Sequence, residues 1–323
     1  MNIAVIGAGA VGLYFGARLQ RAGHDVRFLL RRDYEAIREK GLTVTSPSGD
    51  FHLAEVKGYC DPADMGPVDL VLVALKTFDN GVLPDLVRPL LGEDTALLTI
   101  QNGLGNEEVL AEAFGAQRVL GGVAIIGSNR GEPGVVHHKA LGSIRLGEFT
   151  GGVTERAAKL AETFIAAQVP CEAVADLRRV RWEKLVWNIT FNGLCTLANQ
   201  TPGYFLACPE TLSLVRELMA EVVAGANAQG LSEPIPEESF IDENIARTIK
   251  HTSDYRPSMM IDRAEGRPLE LDAIYRIPLE HAARRGVRMV RVEMLYALLA
   301  AGEPNPDHGR EPAGAAPAEA GAA

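Results

Sequence analysis

The sequence predicts two folded parts: an α/β domain on a parallel sheet and, after it, an all-helical domain. Three observations carry that reading. The 323 residues match roughly two domains at about 150 residues each. Through the first half, short apolar runs alternate with amphipathic stretches, as βαβ units around a buried parallel sheet require. From about Asp176 onward, helical periodicity takes over. The composition, 47% hydrophobic and 23% charged, can fill sizeable cores and excludes wholesale disorder. A net charge of −10 argues against a nucleic-acid or anionic-membrane protein, while leaving room for a local basic pocket.

In chain order, strands are expected at residues 2–6, 26–30, 70–75, 96–100 and 119–126. Helical patterns such as 11–22 and 107–114 lie between most of them. Segments 135–138 and 143–146 read as a hairpin closing this half, followed by a helix at 154–168 and a short strand at 169–174. Five helices are expected beyond it, at 178–198, 211–229, 237–251, 269–285 and 290–301, with Gly230 capping the second. Pro278 falls inside the fourth and should kink or break it. Residues 304–323 hold seven Ala, three Gly and four Pro, which cannot bury a core and read as a disordered tail. The expected division is therefore 1–175, 176–303 and the tail 304–323.

Cys60, Cys171, Cys195 and Cys208 are scattered, without a CxxC pair or a His-rich partner, so neither a metal site nor a disulfide framework is expected. No basic leader with a cleavage site and no apolar run of about 18 residues is visible. A cytoplasmic soluble protein is the expectation.

The chemistry begins at Gly7-Ala8-Gly9-Ala10-Val11-Gly12, which follows the first strand directly and opens the first helix. Gly7 permits the tight turn, Gly9 lets the backbone approach a pyrophosphate, and Gly12 lets the helix lie close on the strand. A lone GxGxxG is weak, but at the first strand–helix junction of a βαβ unit it reads as a dinucleotide site. The alternative is a purely structural turn. At the end of the second strand an acidic residue would suit the ribose hydroxyl of NAD, and FAD and S-adenosylmethionine sites usually want a carboxylate there too. This chain has Arg31-Arg32 and only then Asp33, which favours a 2′-phosphate and so NADP(H). Here the alternative is a solvated turn. Ala74-Leu75-Lys76-Thr77 and Ile100-Gln101-Asn102-Gly103-Leu104-Gly105 also end predicted strands, on the edge where open α/β sheets bind ligands. Each alone is equally readable as a solvated charge or an ordinary turn.

Lys184, Asn188 and Asn192 are spaced i, i+4, i+8 and share a helix face among apolar Leu185, Val186, Ile189 and Phe191. One ammonium and two amides make a poor solvent face and a reasonable lining for a cleft that takes an oxygen-rich substrate. Amides packing helix ends or meeting water are the alternative.

These pieces occur in a recognisable order: the glycine turn, Leu75-Lys76, Gln101-Asn102-Gly103-Leu104-Gly105, and Trp182-Glu183-Lys184-Leu185-x-x-Asn188-x-x-x-Asn192. Pro257-Ser258-Met259-Met260-x-Asp262 and Gly266-Arg267-Pro268-Leu269-Glu270-Leu271-Asp272 follow. From residue 1 to about 302 the chain resembles the ketopantoate reductase (2-dehydropantoate 2-reductase) family. The resemblance implies a Rossmann-type domain followed by an all-helical one, 6-phosphogluconate-dehydrogenase-like, with the active site between them. It implies NADPH-dependent reduction of a 2-oxo acid, most directly 2-dehydropantoate to pantoate in pantothenate and coenzyme A biosynthesis. Lys184 would then be the proton donor and Glu270 the second catalytic residue, orienting Lys184, the ribose or the substrate hydroxyl. Asn188, Asn192 and Ser258 would hold the substrate. Gly7, Ala8, Gly9, Ala10, Val11, Gly12, Arg31, Arg32, Lys76, Asn102 and Gly127 would bind the cofactor, with Asn102 near the nicotinamide. The partner is a small 2-oxo acid, with neither nucleic acid nor membrane, and a homodimer stays open.

The chain departs from the family on the substrate side. Tyr255 stands where an Asn is common, Pro202 replaces another Asn although Asn199 is near, and Tyr275-Arg276 replaces Asn-Gly. A different or bulkier 2-oxo acid fits these changes about as well as ketopantoate, with Arg276 or Arg256 as candidates for a second carboxylate. Two other readings compete: a two-domain dehydrogenase acting on hydroxy acids, opines or a sugar phosphate, and a nucleotide-binding protein without activity. Retention of Lys184 and Glu270 argues against the last.

Overall fold

The computed structural model describes residues 1–303; the tail expected at 304–323 lies outside the described residues. The first half is one ten-stranded sheet. Its strands are β1 (Asn2–Ile6), β2 (Asp25–Leu29), β3 (Leu42–Thr45), β4 (Phe51–Leu53), β5 (Lys57–Tyr59), β6 (Val68–Val73), β7 (Leu91–Thr99), β8 (Val119–Arg130), β9 (Val135–Glu148) and β10 (Cys171–Ala173). Their order is β4-β3-β9-β8-β7-β6-β1-β2-β5, with β10 beside β9. The stretch from β8 to β5 is parallel throughout, and β9 runs antiparallel to β8. In β1, Ile3 and Val5 point into one apolar layer with Leu13, Phe15 and Phe164, while Ala4 and Ile6 point into the other with Leu83, Leu90 and Leu110. A strand covered on both faces must be apolar at every position, which is why its sequence shows no alternation.

Helices α1 (Ala10–Arg21), α2 (Tyr34–Lys40), α3 (Leu83–Val87), α4 (Asn106–Phe114) and α5 (Glu155–Ala166) cover the sheet. The Thr154 hydroxyl caps α5 by accepting the Ala157 N–H at 3.1 Å. The chain leaves β1 for β2 on one side and later returns as β6 on the other. The carboxyl ends of β1 and β6 therefore form the switch point at which such sheets leave a ligand crevice.

The second half is helical: α6 (Leu177–Trp187), a π turn (Asn188–Asn192), α7 (Gly193–Ala198), α8 (Pro202–Leu206), α9 (Pro209–Asn227), α10 (Glu237–His251) and α11 (Ser258–Ala264). A second π turn (Asp272–Arg276), α12 (Ile277–Arg284) and α13 (Val290–Ala301) complete it. Trp182, Leu185, Ile189, Met219, Val222, Tyr275 and Leu295 form its core, and Leu104 from the sheet half inserts there too. No helix among the described residues is long and apolar enough to cross a membrane.

Some expectations need correction. The segments read as a hairpin lie in one strand, β9, paired along β8. The apparent turn at Leu141-Gly142 is an irregularity in that pairing, with both residues at positive φ. Strands β3, β4 and β5 were not expected, because segments of three or four residues carry too little alternation to register. The helix expected at 178–198 contains the first π turn. The one expected at 269–285 starts later, at the second.

Pro278 explains the second π turn. The Ile277 N–H reaches back to the Asp272 carbonyl, and Pro278 has no N–H, so the Ala273 carbonyl has no partner within the helix. The Leu104 N–H takes it at 2.9 Å. A helix irregularity in one half is thus satisfied by a loop of the other.

Candidate active site

At the switch point the three glycines differ. A Cβ on Gly7, which sits at φ +98°, would overlap the Ala74–Leu75 backbone at the end of β6. A Cβ on Gly12 would overlap the Gly7 carbonyl. Gly9 caps the N-terminus of α1 in ordinary extended conformation, and a Cβ there would meet nothing within 4 Å. The protein's own packing demands the absence of a side chain at Gly7 and Gly12 but not at Gly9. Open space beside a helix N-terminus, with no internal reason for glycine, is what an approaching pyrophosphate uses. Ala8, Ala10 and Val11 complete this turn, and Gly127 lies opposite on β8, near Tyr255.

At the end of β2, Asp33 is buried against the Arg130 guanidinium, which neutralises that carboxylate. Arg31 is largely exposed, 3.6 Å from Asp79, and Arg32 is exposed with no ion-pair partner among the described residues. Burial first, then the charges of Arg32, Arg267 and Arg31, hold the Arg130 pKa below its usual range. Four guanidiniums thus gather beyond the end of β2, one of them from the helical half.

Two lysines stand at the junction of the halves in opposite electrostatic settings. Lys76 follows β6 and donates to Asp262 at 2.8 Å and Glu270 at 2.9 Å. Burial opposes its charge, but Glu270 and Asp262 outweigh that and raise its pKa. Glu270, itself buried, also accepts the Thr77 N–H at 3.0 Å, so its hydrogen bonds go to Lys76 and Thr77 and none to Lys184. Lys184, on α6, donates to Asn102 Oδ1 and to the Ala124 carbonyl, both at 2.6 Å. Neither acceptor is charged, and Lys184 has no ion-pair partner among the described residues. Burial, and secondarily the Arg181 guanidinium, pull its pKa down to about 7, against a weaker pull upward from Glu270. One lysine is therefore a fixed cation, and the other is poised to exchange a proton near neutrality.

Asn188 and Asn192 occupy the first π turn below Lys184. Both are buried, and neither side chain has a hydrogen-bond partner among the described residues. Ser258 is the first residue of α11, half-buried. Arg276 does not suit a second substrate carboxylate. It is spent on Asp272 and Glu280 at 2.7 Å each, on the surface of its helix.

Several residues were not anticipated. Arg181 is buried one turn before Lys184 and crosses into the sheet half. It donates to the Gln101 carbonyl at 2.6 Å, the Thr99 carbonyl at 3.2 Å and the buried Glu107 carboxylate at 2.9 Å. Gln101, Asn80 and Asn106 form an amide chain that ends on the Asn102 carbonyl. Together they fix the loop that holds Lys184. Breaking the buried pair should be costly, because Glu107 would be left without its counter-charge. Arg181→Met is expected to lose about 3–5 kcal/mol of stability, and Arg181→Met with Glu107→Leu to recover most of it. Urea unfolding of both variants tests this, and a single variant within about 1 kcal/mol of the parent excludes it.

Comparison with known proteins agrees along the chain. Residues 3–151 match the family described as "Ketopantoate reductase PanE/ApbA", and residues 176–303 match "Ketopantoate reductase PanE/ApbA C terminal". A 2-dehydropantoate 2-reductase of Nostoc sp. is 42% identical over 298 residues, 91% of this chain and 92% of that one. The crystal structure of 2-dehydropantoate 2-reductase from Geobacter metallireducens GS-15 superposes with a TM-score of 0.91. It is 56% identical, covering 93% of this chain and 99% of that one. The one from Methylococcus capsulatus gives 0.86 at 33% identity, covering 95% and 98%.

Proposed function

The chain belongs to the ketopantoate reductase family, and from that premise we propose that it reduces 2-dehydropantoate to pantoate with NADPH. The observation that carries the reading is the contrast between the two lysines. Reduction of a carbonyl builds negative charge on its oxygen, and Lys184, with a pKa near 7 and only neutral acceptors, can supply the proton. Asn102 aims that ammonium. Glu270 holds Lys76 and Thr77 across the cleft and biases Lys184 electrostatically. The unpartnered amides of Asn188 and Asn192, with the Ser258 hydroxyl, receive the carboxylate and hydroxyl of the substrate.

The site fits a dinucleotide, because Gly9 leaves open the cradle that a Cβ would fill. The turn from Gly7 to Gly12 would hold the pyrophosphate and Arg31 and Arg32 the 2′-phosphate, and the nicotinamide supplies the hydride. We place the domain boundary at 175/176, giving a cofactor domain of 1–175 and a substrate domain of 176–303. A second reading, reduction of a bulkier 2-oxo acid, is favoured by Tyr255, whose ring spans from Trp187 to Gly127.

The test is NADPH and NADH oxidation over a panel of 2-oxo acids, ketopantoate first. Highest kcat/KM with ketopantoate supports the first reading, and activity confined to larger oxo acids supports the second. Replacing Arg31 and Arg32 together by Ser should raise the KM for NADPH by about 10- to 100-fold, as one or two charge-assisted contacts are lost, and leave NADH little changed. An unaltered NADPH/NADH ratio rejects the arginine assignment.

A further inference from the structure

The two π turns meet through one phenol. Tyr275, in the second turn, is wholly buried and donates its hydroxyl to the Ile189 carbonyl, in the first turn, at 2.8 Å. The Gly193 N–H, which a regular α-helix would aim at that carbonyl, bonds to the Thr190 carbonyl instead. Gly193 also makes the room, since a Cβ there would come within 2.6 Å of the Tyr275 oxygen. Burial raises the Tyr275 pKa well above its usual value, so the phenol remains a donor.

The consequence lies in where the first turn points its amides. In a straight α-helix four residues overshoot a full turn by about 40°, so Asn192 would sit about 80° around from Lys184. A wider turn between Asn188 and Asn192 takes back part of that drift and returns both amides toward the Lys184 face. The second turn is tied to the other site elements as well. Ile274 N–H bonds to the Glu270 carbonyl at 3.2 Å, and the Ala273 carbonyl takes the Leu104 N–H of the Asn102 loop.

We propose that Tyr275 is a positioning residue for the substrate. Through the Ile189 carbonyl it holds the wide turn that aims Asn188 and Asn192 and sets their register against Glu270 and the Asn102 loop. The inference rests on the reading that those amides bind the oxo acid. A tyrosine that merely fills the core would need its ring and not its hydroxyl.

Tyr275→Phe keeps the ring and removes the hydrogen bond. It should raise the KM for the best oxo acid about tenfold, the equivalent of one such bond, with kcat changed less than about threefold and NADPH affinity unchanged. Asn188→Ala and Asn192→Ala run in parallel. Raised KM in these two with a parental KM in Tyr275→Phe overturns the proposal and leaves the substrate reading intact. Parental KM in all three overturns the substrate reading, and the proposal with it. A lowered melting temperature with unchanged KM shows a structural role only and also overturns it. Should Tyr275→Phe fail to fold, Gly193→Ala, which presses on the phenol oxygen, must raise the KM in the same way, and a parental value there overturns the proposal.

Discussion

Lys184→Ala is expected to lower turnover by roughly 10²- to 10⁴-fold, the usual contribution of a positioned proton donor, while NADPH affinity stays within about threefold. Its ammonium hydrogen-bonds to Asn102 and the Ala124 carbonyl and to no residue of the glycine turn, so the loss should fall on turnover before cofactor binding. The pH dependence follows from the pKa of about 7. Only the protonated form can deliver a proton, so reductive kcat should be high below pH 7 and fall as pH rises through it. In Lys184→Ala that limb should vanish. Retention of the limb, or of full turnover, removes Lys184 from the role.

The same group opposes folding. An unfolded lysine keeps its proton up to about pH 10.5, while Lys184 in the fold prefers to lose it above about 7. A base whose pKa falls on folding destabilises the fold at every pH below its unfolded value. The penalty is complete below about pH 7 and shrinks as pH rises from there toward 10.5. Lys184→Met should therefore melt higher than the parent at pH 6, and the gain should shrink at pH 9. A buried lysine that costs the fold stability fits a functional role better than a structural one.

How much of this is legible in the sequence depends on whether a residue's role is set by its neighbours along the chain or by neighbours across the fold. The glycine turn is legible because a strand, three spaced glycines and a helix are all local. So is the shared face of Lys184, Asn188 and Asn192, because helical spacing is local too. The π turn beneath them is not, since one wider turn leaves the periodicity of the flanking residues nearly untouched. Arg181 illustrates the limit more sharply. It belongs to the run Arg178-Arg179-Val180-Arg181, in which each arginine looks equally fit for solvent. Only the packing of α6 against the loop after β7 selects Arg181 for burial and supplies Glu107 to neutralise it. Likewise Glu270 stands out only through the family resemblance, and its attachment to Lys76 requires the two halves to be placed together.

The glycines offer the cleanest separation of fold from cofactor binding, and Gly9→Val is the variant that makes it. A Cβ on Gly9 would meet no atom of the protein within 4 Å, and its backbone lies in a region that any residue adopts. The fold should therefore lose no more than about 1 kcal/mol, the scale of a changed helix cap. NADPH affinity should fall on the order of 100-fold or more, because Val would occupy the space through which phosphate oxygens reach the N–H groups at the start of α1, forfeiting charge-assisted hydrogen bonds. Gly12→Ala should behave in the opposite order. Its Cβ runs into the Gly7 carbonyl and crowds Ala74, so the melting temperature drops first and any binding loss follows from that. Fluorescence titration with NADPH and thermal melts of both variants decide the matter. A parental NADPH affinity in a folded Gly9→Val protein would mean that the turn is glycine-rich for packing alone, and the dinucleotide would have to be sought elsewhere on the sheet edge.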